Sequence, residues 1–122
     1  MARPDQVIPV NPMLEEKFGL SYLIKSGKTL YMAGVLSADD ATFELVGAGD
    51  MAAQIRQIYA RMQRNLAKAG CTLRHVVSEI SFTTDIKALG DAANVRREIY
   101  QAANAAPPAV NPVADRTPVE AL

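Results

Sequence analysis

Few side chains in this chain are equipped for chemistry. It carries one histidine, His75, and one cysteine, Cys71. A lone cysteine excludes an intrachain disulfide framework and any multi-cysteine zinc site. With a single histidine as well, no resident metal and no cofactor are expected. His75 follows Arg74 and has no carboxylate within two positions, so nothing nearby in sequence would orient it as a base. Cys71 follows Gly70 where a helix should end. That is the electronegative end of the helix, which does not favour a thiolate. Asp85 is a candidate general base, but its place between a strand and a helix suits an N-cap. Arg96 stands out because it falls inside an otherwise apolar helical stripe. There it must reach water or find a carboxylate, a phosphate or a subunit partner.

Arg56, Arg61, Arg64 and Lys68, followed by Arg74, form the densest cationic group and fall on one side of a helix. Such a stripe is the electrostatic footprint of nucleic-acid binding, yet no aromatic residue interleaves with it to stack on bases. The 13 basic and 13 acidic side chains cancel. A neutral chain is a poor general ligand for phosphate backbones, so a solvated helix face is the expectation.

These residues must be positioned by a single domain, since 122 residues with 49% hydrophobic and 21% charged side chains suit one globular unit. The domain is expected to span 1–122, with an N-terminal arm at 1–17 and a short proline-rich C-terminal segment at 107–122. No apolar run is long enough for a membrane span, and no secretory signal is read at the N-terminus, so the expected location is cytoplasmic. Pro4, Pro9 and Pro12 leave room only for a short edge strand around Val7-Ile8 in the first 19 residues. Residues 20–24 and 29–36 read as strands joined by a hairpin at Ser26-Gly27-Lys28, followed by a polar loop over 37–48. Asp50 sits at an N-cap position, and Gly70 ends a helix over 51–69 whose buried stripe is Ile55, Ile58, Tyr59, Met62 and Leu66. Residues 73–83 alternate, with Val76, Ser78, Ile80 and Phe82 against Val77, Glu79 and Ser81. A second helix is expected over 86–103 and an edge strand around 109–114. The result is an α+β fold, a mixed β-sheet with two helices on one face. The bare face should then be buried against other copies of the chain in a symmetric homo-oligomer.

Four segments resemble the Rid family, also called YjgF or endoribonuclease L-PSP-like. They are Leu30-Tyr31-Met32-Ala33-Gly34-Val35, the helix opening Asp50-Met51-Ala52-Ala53-Gln54-Ile55-Arg56-Gln57, the stretch from Ala69-Gly70 to Val76-Val77, and Thr84-Asp85 followed by Pro107-Pro108-Ala109. The likeness covers roughly 18–114. It implies a chorismate-mutase-like α+β fold and a homotrimer with ligand clefts between subunits. It also implies cofactor-free hydrolysis of imines and enamines, in which an arginine grips the substrate carboxylate.

Several landmarks differ. The family arginine's place is Val110, its cleft tyrosine falls on Leu20 beside a retained Ser21, its serine is Ala33 beside Gly34, and its helix asparagine is Ala93. The family's final strand carries a glutamate, and Glu120 falls short of that position. The cleft implied by the resemblance is thus Leu20, Ser21, Ala33, Gly34, Ala93 and Val110, without a cation. A carboxylate entering it would lose hydration that it could not regain. The substrate is therefore expected to differ from 2-aminoacrylate, unless Arg96 supplies a relocated cation. The alternative is a non-catalytic member binding a small metabolite or a partner protein. Ribonuclease or translation-inhibitor activity is disfavoured by net neutrality and the single histidine.

Overall fold

A computed structural model describes residues 5–114. Strand β1 (Asp5–Ile8) is followed by helix α1 (Pro12–Phe18), the hairpin β2 (Leu23–Ser26) and β3 (Thr29–Met32), and the long helix α2 (Met51–Lys68). A 3-10 turn (Leu73–His75) then leads into β4 (Ser78–Thr83), helices α3 (Ile86–Asp91) and α4 (Ala93–Ala102), and β5 (Ala109–Ala114).

The hairpin forms at Gly27, which takes φ of 60°, and Ser26 pairs with Thr29 across it. A two-residue loop of this kind needs positive φ, which glycine supplies without a Cβ penalty. Asp50 caps α2 by accepting from the Ala53 N–H. Ile55, Tyr59 and Leu66 of α2 are buried together with Leu73, Ala92, Val95 and Tyr100. Leu30 and Met32 of β3 pack beneath this cluster.

Three expectations change. The expected single mixed sheet is present as two: antiparallel β1-β2-β3, and the parallel pair β4-β5 joined through α3 and α4. Both turn one face to the same helical core. The arm contains a helix, α1, because Pro12 at its first turn fixes φ where a missing N–H costs nothing. Asn11 caps it, Glu15 reaches back to the Val10 and Asn11 N–H groups, and Gly19 ends it at φ of 65°. The expected second helix is broken at Ala92, just after Gly90 and Asp91. The Val95 N–H bonds the Ala92 carbonyl, a three-residue bond that tightens the chain there.

Strand β4 turns Glu79, Ser81 and Thr83 towards the helices, while Ile80 and Phe82 face outwards at 60% and 78% exposure. Val7, Tyr31 and Val113 are likewise exposed on the helix-free side of their strands. On β4 the uncovered side is thus the more apolar one. Among the described residues no helix is long and apolar enough to cross a membrane.

Candidate functional site

Under the helices, the inward face of β4 is polar. Positions 79 and 81 share that face by the two-residue period of a strand. Arg96 and Tyr100 share a face of α4 by four-residue spacing. Tyr59 of α2 completes the group. Its hydroxyl donates to Glu79 Oε2 at 2.7 Å, and the Tyr100 hydroxyl donates to Glu79 Oε1 in a very short bond. Arg96 Nε donates to the Tyr59 hydroxyl at 3.0 Å, and its Nη2 to Ser81 Oγ at 3.3 Å. The two phenol rings meet edge to face, 5.6 Å apart at 79°. Tyr100 is fully buried and Tyr59 nearly so.

Burial, and after it the Glu79 carboxylate, pushes the Tyr59 phenol up to about 12. The same two causes push Tyr100 up further still. Both phenols are therefore protonated donors at neutral pH. Tyr59 passes the positive field of Arg96 to Glu79 through its hydroxyl, a charge-compensated arrangement that suits a buried carboxylate. With such high values neither phenol serves as a base near neutrality.

Leu20 and Ser21 precede β2, and Ala33 and Gly34 follow β3. The ladder continues through the Ala33 N–H to the Tyr22 carbonyl at 2.9 Å, which brings these four to one end of the hairpin. Ala93 opens α4 one turn before Arg96. Val110 stands opposite Glu79 in the β4-β5 register and is half-buried, so it shares the helix-facing side with the Glu79 group. Glu120 lies outside the described residues.

Asp85 accepts from the Ala88 N–H as the cap of α3. His75 accepts from the Thr72 N–H through Nδ1 at 3.0 Å, so one ring nitrogen serves a capping box. Cys71 is half-buried at the end of α2. Among the described residues no group of three or more His, Cys, Asp or Glu side chains could hold a metal ion.

The cationic stripe of α2 is not a solvated face throughout. Arg61 is only 6% exposed and donates to Asp40 Oδ1 at 2.7 Å and to the Leu36 carbonyl at 2.6 Å. Arg64 donates to Asp40 Oδ2 at 2.6 Å. The segment after β3 folds back along this side of α2, held also by Gln57 to the Ala38 carbonyl and Gln54 to the Gly47 carbonyl. Helical periodicity gave the correct face but carried no information about what covers it.

Sequence reasoning missed Tyr59, Tyr100 and Glu79 as a polar group, because each fitted an apolar stripe or an alternating strand. No sequence signal marked Glu79, because the alternation places it on the more polar face of the strand, which ordinarily faces solvent. Arg74 was counted only with the basic face. It instead borders an open groove of about 450 Å³, with Val76, Val77, Asn104, Pro107 and Ala109. That groove reaches the residue immediately before Val110.

The chain was compared with known proteins. It matches the family described as Endoribonuclease L-PSP over residues 14–118. Protein DfrA of Myxococcus xanthus is 35% identical over 86 residues, 70% of this chain and 63% of that protein. The chain thus spans less than two thirds of that relative's length. A RutC family protein of Sulfurisphaera tokodaii is 31% identical over 102 residues, 84% of this chain and 79% of the relative. The crystal structure of YyfA from Yersinia pestis, a Rid-family protein of unknown function, superposes with a TM-score of 0.74 at 22% identity, covering 90% of this chain and 85% of that one.

Proposed function

The chain belongs to the endoribonuclease L-PSP (Rid) family, and from that premise we propose that it acts on a small imine, enamine or related electrophile that carries no carboxylate. The clefts that receive it lie between the subunits of a homotrimer. One observation carries this reading: Val110, at the place where the resemblance implies a carboxylate-gripping arginine, is paired in register with Glu79. The charged group beside that place is an anion, which disfavours a substrate carboxylate. Arg96 does not reverse the balance, because its single positive charge is already matched to Glu79 through the Tyr59 hydroxyl and leaves no net cation in the group. Trimer formation is supported by the apolar outward positions Tyr31, Ile80, Phe82 and Val113, an exposed set of the kind that marks an interface.

The test generates imines in the presence of semicarbazide, which traps whatever is not hydrolysed. Amino-acid oxidase supplies carboxylated imines and amine oxidase supplies carboxylate-free ones. Catalytic amounts of the protein should reduce semicarbazone formation only in the second series, and Val110→Arg should extend the effect to the first. Wild-type turnover of 2-imino acids that is lost in Arg96→Ala would instead identify Arg96 as a relocated cation and overturn the reading.

A second reading, non-catalytic binding of a small metabolite, is favoured by the closed state of the Glu79 group, which leaves neither phenol as a base. Inactivity on both series together with saturable binding of a neutral ligand would select it.

A further inference from the structure

We propose that the side of α2 away from the Glu79 group holds a binding site for a small phosphate-like anion, within the cavity that Arg61, Arg64 and Lys68 border. The cavity measures about 160 Å³ and is bounded by Asn11, Asp40, Arg61, Arg64, Asn65 and Lys68 among others. This is several times the roughly 10–15 Å³ that one ordered water requires. Positions 61, 64, 65 and 68 come together because three- and four-residue steps stack on one side of a helix.

The lining is charged beyond its internal needs. Three cations face one carboxylate, leaving a surplus of two positive charges. Asp40 is saturated by Arg61 Nε on one oxygen and Arg64 Nη2 on the other. Arg61 keeps its Nη2 uncommitted among the described residues, and Lys68 has no ion-pair partner among them.

Asn65 supplies the second, independent observation. It is only 8% exposed and borders this cavity, yet its side-chain amide has no hydrogen-bond partner among the described residues. Its amide nitrogen and oxygen are not sealed from solvent, and where the residue borders the cavity its N–H₂ has donors to offer. Beside two guanidinium groups and an ammonium, an oxyanion satisfies the amide N–H₂ and neutralises the surplus together. Arginine and lysine donors along one helix face, with the Asn65 amide among them, suit an oxyanion, either free phosphate or the phosphoryl end of a larger molecule.

The experiment titrates the full chain with inorganic phosphate by calorimetry and thermal unfolding at constant ionic strength, with chloride as the control anion. A phosphomonoester and its dephosphorylated parent form a second arm. Phosphate should raise the Tm where chloride does not, and Lys68→Gln should weaken phosphate binding about tenfold while barely changing the phosphate-free Tm, because Lys68 is exposed. Asn65→Leu, which removes the amide, should abolish phosphate binding. If that variant fails to fold, Lys68→Gln and Arg64→Gln still decide the matter. A phosphomonoester that binds more tightly than phosphate, with its parent inert, assigns a phosphorylated metabolite, whereas equal affinity assigns the free anion. A wild-type response reproduced by chloride, or equal phosphate affinity in wild type and Lys68→Gln, overturns the site.

Discussion

Helix α2 carries a polar group on each side, and the two are built differently. On one side Tyr59, Tyr100, Arg96, Ser81 and Glu79 satisfy one another: a single carboxylate accepts from two phenols, and a guanidinium backs one of them. On the other side Arg61, Arg64 and Asp40 are bonded, but Asn65 is left without a partner and Lys68 without a counter-charge among the described residues. The first group is closed and holds layers together. The second is open to a cavity and has donors to offer. Equal polarity in a buried setting therefore does not imply equal role. What separates a structural group from a binding group is whether its donors and acceptors balance within the chain.

The strongest way to break this comparison is to unbalance the closed group. Glu79→Ala strands two buried hydroxyls and the Arg96 charge behind them. It should lower unfolding stability by about 3 kcal/mol in urea titration, with fluorescence or circular dichroism as the readout. A loss below about 1 kcal/mol would mean that the group is wetter than its geometry indicates. Glu79→Gln keeps the shape but turns one acceptor into a donor facing a phenol, and should cost roughly half as much.

Next in size is Arg61→Ala on the opposite side. It removes a nearly buried guanidinium from Asp40 and the Leu36 carbonyl and should cost about 2 kcal/mol, mainly through release of the segment after β3. Arg64→Gln touches the same carboxylate from an exposed position, where the side chain is 54% accessible. Its cost should be at most about 0.5 kcal/mol, consistent with an exposed ion pair.

Titration sharpens the contrast because the two groups fail at opposite ends of the pH scale. The Tyr59 phenol is raised from 10.0 to about 12 in the folded state. A raised value means that the folded chain holds the proton more tightly. The closed group's contribution is therefore complete below pH 10 and is lost as pH rises from 10 to 12. Burial would push Asp40 up, but hydrogen bonds from Arg61 and Arg64 outweigh it and hold the carboxyl below its usual 3.8. Its contribution is present above that value and disappears as pH falls through the folded one. Tyr59→Phe should make the alkaline limb of a stability profile shallower, leaving the share of Tyr100, with the acid limb unchanged, and Asp40→Asn should make the acid limb shallower with the alkaline limb unchanged. A variant that moved both limbs would show that the groups are coupled through α2.

The smallest expected effect on monomer stability, with the largest on assembly, belongs to the outward side of β4. Phe82→Glu touches neither polar group, and exposed substitutions typically change stability by less than about 0.5 kcal/mol. It should nonetheless convert the proposed trimer to monomer in light scattering. An unchanged mass would place any interface elsewhere.

Much of this architecture was legible in local sequence. The cap at Asp50, the buried stripe of α2, the two-residue hairpin at Gly27, the cap at Asp85 and the proline-bearing strand β5 all follow from short-range rules. Those rules act within a few residues and leave a periodic trace. Helix α1 was missed although Asn11-Pro12 and Gly19 marked both its ends, because prolines were weighed as breakers and not as helix starters. Neither polar group was legible. Glu79 and Tyr59 are 20 residues apart, Tyr59 and Arg96 are 37, and Arg61 and Asp40 are 21. No periodicity links positions that only chain reversal brings together.

By itself the sequence determined the long helix α2 with both its ends, the apolar stripe that it buries, and which family pattern the chain carries. These depend on side-chain type and on spacing within one element. Tertiary structure alone decided that the polar face of β4 turns inwards, that Arg61 is buried while Arg64 is not, and that Asn65 is left without a partner. Those outcomes depend on which distant segment closes over a given face, and a buried polar atom is satisfied or stranded only by the groups that arrive there.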